Sequence, residues 1–279
     1  MANDLEGSIL AAGRRLKLAG THSEYMQAYQ DWPADQSAVA AAVKDLPHGS
    51  LCLDVGAHIG LTSLTIAALR PDCRVVAFEP LPQAQRCLRQ NVSSNGIKNI
   101  ELIEAAVGDV SSTISFDDHG PWSVATRGTS VLSKIVRLDD LELGSPAFIK
   151  IDVEGFEPNV LAGARALIAK ARPLILMEFN SWTLLIHHYD VLTFAGAIWS
   201  TFDVLRMFAG ERPLDPPPDP MGLVHMNLTQ HGCVTDLLLR PKAAITDLHT
   251  MTDTPQAAEL RSGSVGPSAD YDSRFPEVT

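Results

Sequence analysis

The chain has 279 residues, 46% of them hydrophobic and 20% charged, and a mean hydropathy near zero, which describes a globular chain of one large domain with appendages or at most two domains. Its net charge of −11 repels phosphates and anionic lipid surfaces. Because the densest basic runs, "GRRLKL" and "CRVV…QRCLRQ", are short, nucleic acid is not expected as a partner.

The first residues, "MANDLEGSIL", are acidic and lead into no apolar core, so they do not read as a secretory signal. Residues 1–47 read as a helical lead-in, weakly patterned to about residue 34 and then a helix over Asp35–Leu46 that Pro47 stops. "LCLDVG" (Leu51–Gly56) reads as a strand, "LTSLTIAALR" as a helix, and "CRVVAFEP" (Cys73–Pro80) as a second strand. "PQAQRCLRQNVSSNG" follows as a second helix and Asn99–Asp109 as a third strand. This rhythm of strand and helix with short connections predicts right-handed βαβ units and a parallel sheet.

Between Val110 and Leu143, "TISFDD" and "SVLSKIVRL" alternate apolar and polar residues and predict a small antiparallel excursion or cover. The rhythm resumes with a strand over Ala147–Asp152, a helix from Pro158 to Lys170 and a fifth strand over Pro173–Phe179. "SWTLLIHHYDVLTFAGAIW" reads as a helical insertion rich in aromatics. "FDVLRMF" and "VTDLLLRP" read as two final strands joined by the proline-stiffened "RPLDPPPDPMG". Residues 48–241 are therefore expected to form the main α/β domain, and residues 242–279, polar and without periodicity, a disordered tail.

Cys52, Cys73, Cys87 and Cys233 show no paired spacing, which points to neither a zinc site nor a disulfide framework and favours a reducing cytoplasm. No stretch reaches the roughly 18 apolar residues of a membrane span, so no membrane insertion is expected. Nothing in the chain speaks to its oligomeric state.

In an open α/β sheet, ligands sit beyond the carboxyl ends of the strands. "LDVGAHIG" stands there after the first strand, with Asp54, Gly56, His58 and Gly60, where glycines let the backbone turn tightly and approach a ligand. Glu79 ends the second strand, where a carboxylate can accept hydrogen bonds from both ribose hydroxyls of a nucleoside. The third glycine of the dinucleotide fingerprint is missing and there is no phosphate-binding P-loop. An acid two residues before the first glycine suits a ligand bearing an ammonium group, such as the amino-acid end of S-adenosylmethionine.

"LDVGAHIGLTSLTIA", "VVAFEPLPQA", "EAAVGD", "FIKIDVEGFEPNVLAGA" and "PLILMEFNSW" together resemble the FkbM family of S-adenosylmethionine-dependent methyltransferases over about Leu51 to Asp203. His58 stands where the family more often has Asn. The resemblance implies a Rossmann-like class I methyltransferase fold, a mostly parallel sheet of seven strands with the last antiparallel and helices on both faces. It implies that Asp54, Gly56, His58 and Gly60 surround the methionine part of the cofactor and that Glu79 holds the ribose. Pro80, Leu81, Ala106 and Val107 would lie beside the adenine, and Asp152 near the reactive methyl group. The acceptor it implies is a hydroxyl of a small molecule or glycan, of sugar or polyketide type.

An alcohol acceptor must lose its proton as it attacks, which a positioned carboxylate assists. Asp152 and Glu154 would share one face if the strand ran on through both, and Glu178 ends the fifth strand at the same rim, so these three are the catalytic candidates. Asp152 could instead orient the cofactor. Rim acids could also hold Mg²⁺, but no ligand spacing singles out a metal site and none is assigned. Glu157 before Pro158 reads as an acid at a helix start. His187 and His188 could belong to an acceptor site or simply to a helix. Trp182, Tyr189, Phe194 and Trp199 could form a lid or pack a core. Two rival functions remain: an NAD-dependent oxidoreductase on a Rossmann-like sheet, and a non-catalytic cofactor-binding scaffold.

Overall fold

The structure, a computed structural model, describes residues 5–20, 23–116, 125–126 and 131–243. Its first element is a hairpin, which corrects the helical lead-in expected from the sequence. β1 (Leu5–Ala11) and β2 (Arg14–Gly20) pair antiparallel, from Leu5 opposite Gly20 to Ala11 opposite Arg14. Ala12 and Gly13 between them both have positive φ, 52° and 70°, as a two-residue hairpin turn requires. Leu16 and Leu18 turn inward while Arg15 and Lys17 face solvent, a period of two that overrides any local helical preference. After α1 (Ser23–Ala28), β3 (Gln30–Pro33) pairs parallel with β1, giving a three-stranded sheet in the order β2-β1-β3. The helix expected next is present but shorter: α2 (Ala38–Val43), whose N-cap Ser37 accepts a hydrogen bond from the Ala40 N–H.

The alternation expected in the middle of the chain follows: β4 (Leu51–Val55), α3 (Leu61–Leu69), β5 (Arg74–Phe78), α4 (Pro82–Ser94) and β6 (Ile100–Ile103). The third strand was expected to run to Asp109, but it stops at Ile103. Ala106–Val107 form β7, which joins a separate four-stranded sheet with β8 (Ser112–Phe116), β9 (Ala125–Thr126) and β10 (Val131–Val136). β8 and β10 are antiparallel, as the alternating pattern there indicated.

The main sheet continues with β11 (Pro146–Ile151), and the helix expected after it is broken into α5 (Glu157–Gly163) and α6 (Arg165–Ala171). β12 (Leu174–Asn180), α7 (Ser181–Ile186), α8 (Val191–Thr201), β13 (Phe202–Ala209) and β14 (Arg212–Leu214) come next. The end of the proline-stiffened connection opens α9 (Pro220–Gln230), because proline fits the first turn of a helix and Asp219 caps it by accepting from the Gly222 N–H. β15 (Val234–Pro241) closes the sheet. The tail expected to be disordered lies, from residue 244 on, outside the described residues.

Among the described residues, the main sheet has eight strands in the order β14-β13-β15-β12-β11-β4-β5-β6. β12, β11, β4, β5 and β6 are parallel, and β15 runs antiparallel to both of its neighbours. It is the doubly wound class I sheet with one short strand added at its edge. Strand order reverses between β4 and β11, which puts the ligand crevice of such a sheet at their carboxyl ends.

The two faces of the sheet differ. Leu53, Val55, Ile149, Ile151, Met177, Phe179 and Leu237 are all apolar and pack against Val160, Leu161, Ile168, Phe194 and Ile198 from α5, α6 and α8. The other face carries Cys52, Val75, Phe148 and Leu176 beneath α2 and α3. Towards its carboxyl edge this face turns polar, with Asp54 paired across to Lys150 in register.

The N-terminal sheet bears on this edge through Ile59, the last residue before Gly60. Ile59 is buried among Ile9, Ala11, Leu16 and Leu18. Asn91 of α4 accepts from the Ala19 N–H (2.6 Å) and donates to the carbonyls of Ala19 (3.1 Å) and Ile59 (2.9 Å). One buried amide thus ties hairpin, helix and glycine loop together. Asn91→Ala should destabilise the protein by about 2–4 kcal/mol, because it leaves a buried N–H and carbonyls without partners. The urea midpoint measures this, and a change below about 0.5 kcal/mol would contradict it.

Candidate active site

The glycine loop is shaped by a close backbone crossing. Gly56 has a φ of 84°, and a Cβ there would lie 1.8 Å from the Asp152 carbonyl oxygen, so only glycine fits. The Asp152 N–H donates to the Val55 carbonyl (3.0 Å), which seals the ends of β4 and β11 together. On the other side, the Gly56 and Ala57 N–H groups both donate to the Phe78 carbonyl at the end of β5. His58 follows with a φ of 49°, and Gly60 is the N-cap of α3.

Glu79 is 4% exposed and is gripped by this loop. Its Oε2 accepts from the His58 N–H (2.7 Å) and its Oε1 from the Leu81 N–H (2.9 Å). Burial pushes its pKa up to about 7, although both N–H groups favour the ionised form. Asp54, 1% exposed, accepts from the Ser63 hydroxyl (2.5 Å), and burial lifts it to about 6. Pro80 and Leu81 follow Glu79 and are half-buried. Leu81 and Ala106 lean on a small apolar cluster of Ile135 and Phe156, whereas Val107 turns into the main core.

The acidic rim is built differently from a strand continued. β11 ends at Ile151, Glu154 takes a left-handed φ of 53° and Gly155 one of 92°. A Cβ at Gly155 would stand 2.5 Å from the Thr183 carbonyl, so the turn is packed hard against α7. Asp152, Glu154 and Glu178 nonetheless come together, by the turn and not by strand alternation. Burial, Asp152 and Glu157 raise Glu154 to about 8, and burial with Asp152 and Glu154 raises Glu178 well above the usual range. Left-handed backbone at a non-glycine residue stores strain that the surrounding structure must hold.

Glu157 does stand in the first turn of α5, but it is fully buried and clasps the turn before it. Its Oε1 accepts from the N–H groups of Val153 (3.1 Å) and Gly155 (3.2 Å), and burial lifts it to about 7. His187 is buried edge-on to Phe156, and burial pushes it down to about 4, so it is neutral; His188 is exposed. Tyr189 and Phe194 belong to the core, whereas Trp182 is 52% exposed.

Lys150 and Asp236 were not singled out from the sequence. The Lys150 ammonium, 6% exposed, donates to Asp152 Oδ2 (3.0 Å) and Asp236 Oδ1 (3.5 Å). A lysine inside the apolar run "FIKI" was a signal, since a buried charge needs a partner. Asp236, 86 residues on, could not be read as that partner from the chain alone. Among the described residues, no group of three or more His, Cys, Asp or Glu side chains is arranged to hold a metal ion, and no helix is long and apolar enough to cross a membrane.

Comparison with known proteins matches residues 54–208 to the Methyltransferase FkbM domain. The chain is 33% identical over 85 residues to a ribosomal RNA small subunit methyltransferase G of Clavibacter sepedonicus, covering 30% of this chain and 38% of that protein. It is 26% identical over 163 residues to the 2-O-methyltransferase NoeI of Sinorhizobium fredii, covering 47% of this chain and 64% of that one. With the hexuronic acid methyltransferase AglP of Haloferax volcanii it shares 28% identity over 143 residues, 48% of this chain and 58% of that one. The chain thus spans less than two thirds of each of these relatives.

The buried acids set a pH dependence. Glu79 and Glu157 at about 7 and Glu154 at about 8 bind protons more tightly folded than unfolded, so their stabilisation is complete below about 4.5 and is lost as pH rises through those values. His187, lowered from 6.5 to about 4, acts oppositely, but its contribution is complete above 6.5. Between about pH 6.5 and 8 the melting temperature of the ligand-free protein should therefore fall. Melting curves across that interval check this, and a flat or rising trend would contradict it.

Proposed function

The chain belongs to the FkbM methyltransferase family, and from that premise we propose that it is an S-adenosylmethionine-dependent O-methyltransferase acting on a hydroxyl of a small molecule or glycan. The observation that carries the reading is Glu79, a buried carboxylate held by the N–H groups of the glycine loop and its own strand end. Each of its oxygens accepts one backbone N–H and keeps a lone pair for a ribose hydroxyl. The residues present fit the cofactor. Gly56 and Gly60 carry no side chain where the loop turns, Asp54 offers a negative charge to an ammonium group, and Leu81 and Ala106 offer apolar surface for an adenine ring. When bound, S-adenosylmethionine supplies a methyl group already activated on a sulfonium.

The rim residues then have the acceptor to manage. Asp152 adjoins the loop at Gly56 and is the carboxylate best set to orient the hydroxyl or take its proton. Glu154 carries its proton at neutral pH and can donate a hydrogen bond to an acceptor oxygen, and Glu178 supports it from β12. The names of NoeI and AglP support transfer to oxygen and to a sugar-derived acceptor. The methyltransferase G match carries an RNA substrate in its name. The chain's net charge of −11 works against a phosphate backbone, which favours the hydroxylated small molecule or glycan.

Calorimetry with S-adenosylhomocysteine and with NAD separates this reading from a dehydrogenase: the first should bind and the second should not, and the reverse result would overturn it. Glu79→Ala should weaken S-adenosylhomocysteine by about 10- to 100-fold. Asp152→Ala should leave that binding within a few-fold while lowering turnover by about 10²–10⁴-fold, read as methyl added to a panel of hydroxylated acceptors by mass spectrometry. Cofactor binding without turnover on any acceptor would favour the scaffold, and wild-type turnover in the Asp152 variant would remove that residue from the chemistry.

A further inference from the structure

The carboxylates at the site are fixed in two different ways. Asp54 is held by the Ser63 hydroxyl, Glu79 by the N–H groups of His58 and Leu81, and Glu157 by those of Val153 and Gly155. Asp152 is held by a cation. Its Oδ2 accepts from the Lys150 ammonium at 3.0 Å. The side chain of Asp152 is 39% exposed at the carboxyl end of the sheet, while that of Lys150, at 7%, is buried.

Lys150 is itself anchored from a distance. It leaves β11, passes over β12 and meets Asp236 Oδ1 of β15 at 3.5 Å. Burial works against its charge, but Asp152, Asp236 and Glu178 outweigh it and keep the ammonium protonated beyond the ordinary lysine range. Asp54 on β4 and Glu211 beyond β13 also feel this charge. Its neighbours on the same face, Cys52 and Phe148 towards the amino end and Leu176 in register beside it, are apolar. A buried ion pair is seldom more stabilising than an apolar residue of the same volume, so stability alone gives little reason for a lysine here. What an apolar residue could not do is hold the Asp152 carboxylate at the mouth of the site.

We propose that Lys150 is a positioning residue for methyl transfer, holding the Asp152 carboxylate in its working orientation while Asp236 braces the ammonium from the antiparallel strand. The proposal rests on the methyltransferase reading above and adds to it a buried pair that acts only through Asp152.

The test compares Lys150→Met, Lys150→Arg and Asp236→Asn in the full chain. Lys150→Met should bind S-adenosylhomocysteine within about threefold of wild type, keep its KM for an accepted hydroxyl compound within a similar factor, and lose about 10²-fold in kcat, the scale of a misplaced reacting group. Lys150→Arg should recover at least about tenfold of that loss, and Asp236→Asn should fall between. Equal kcat in wild type and Lys150→Met would overturn the proposal, as would a loss confined to cofactor affinity. If Lys150→Met does not fold, the other two decide: unchanged kcat in Asp236→Asn together with no activity in Lys150→Arg overturns the proposal. A crystal structure of ligand-free Lys150→Met, or of Asp236→Asn where the former does not fold, separates this idea from the methyltransferase reading. An Asp152 side chain that stays in its rotamer refutes the positioning role whatever the turnover, whereas absence of methyl transfer by the wild type refutes the reaction instead.

Discussion

The site depends on one backbone contact, the crossing of Gly56 and Asp152. The strands that carry them are neighbours at the point where the sheet reverses its order, and each connection leaves in the opposite direction. With the Asp152 carbonyl lying where a Cβ of residue 56 would be, the glycine loop and the acidic turn cannot separate without opening β4 from β11. The loop is then bent back far enough for the His58 N–H to reach Glu79 on the next strand. On the other side, Asp152 is delivered to the same mouth with its side chain towards solvent. One tight approach therefore sets the distance between the residues that would hold the cofactor and those that would handle its acceptor.

Around this crossing the molecule concentrates burial and charge in a way a sheet edge alone would not. Carboxylates buried without compensation give up their charge. Here Asp54, Glu79 and Glu157 each receive donors from the chain that surrounds them, yet their pKa values rise to about 6, 7 and 7. At the rim, Asp152 receives the Lys150 ammonium instead. The result is a divided site, with Glu79 fixed by backbone N–H groups beside the glycine loop, Glu157 fixed by those of the acidic turn, and Asp152 held by an ammonium where an acceptor would enter. The N-terminal sheet supports the first half from outside, since Ile59 is packed into it and Asn91 fastens the two.

Much of this was legible in the chain because it is local. "LDVGAHIG" and "AFEP" announce a strand, a tight turn and a strand-end acid within a few residues, and the helices between them carry their own stops. The alternation in "SVLSKIVRL" likewise gave the antiparallel excursion. What escaped depended on distant partners. Leu5–Ala11 and Arg14–Gly20 have a pattern too short to outvote helical preference until Leu16 and Leu18 find the cluster around Ile59 and Cys87. The strand thought to reach Asp109 ends early because Ala106 and Val107 are claimed by Ile135 and Val136. Asp152 and Glu154 were expected to meet by strand geometry and meet through a left-handed turn, which Gly155 makes possible. Lys150 looked like part of an apolar strand because its second partner, Asp236, is set by tertiary structure.

The most direct test of the central claim is a crystal structure of the protein with S-adenosylhomocysteine. The ribose hydroxyls should rest on the Glu79 carboxylate, the adenine beside Leu81 and Ala106, the amino group near Asp54, and the sulfur should face Asp152. A ligand bound elsewhere, or one lying in the crevice with Glu79 uncontacted, would contradict the account.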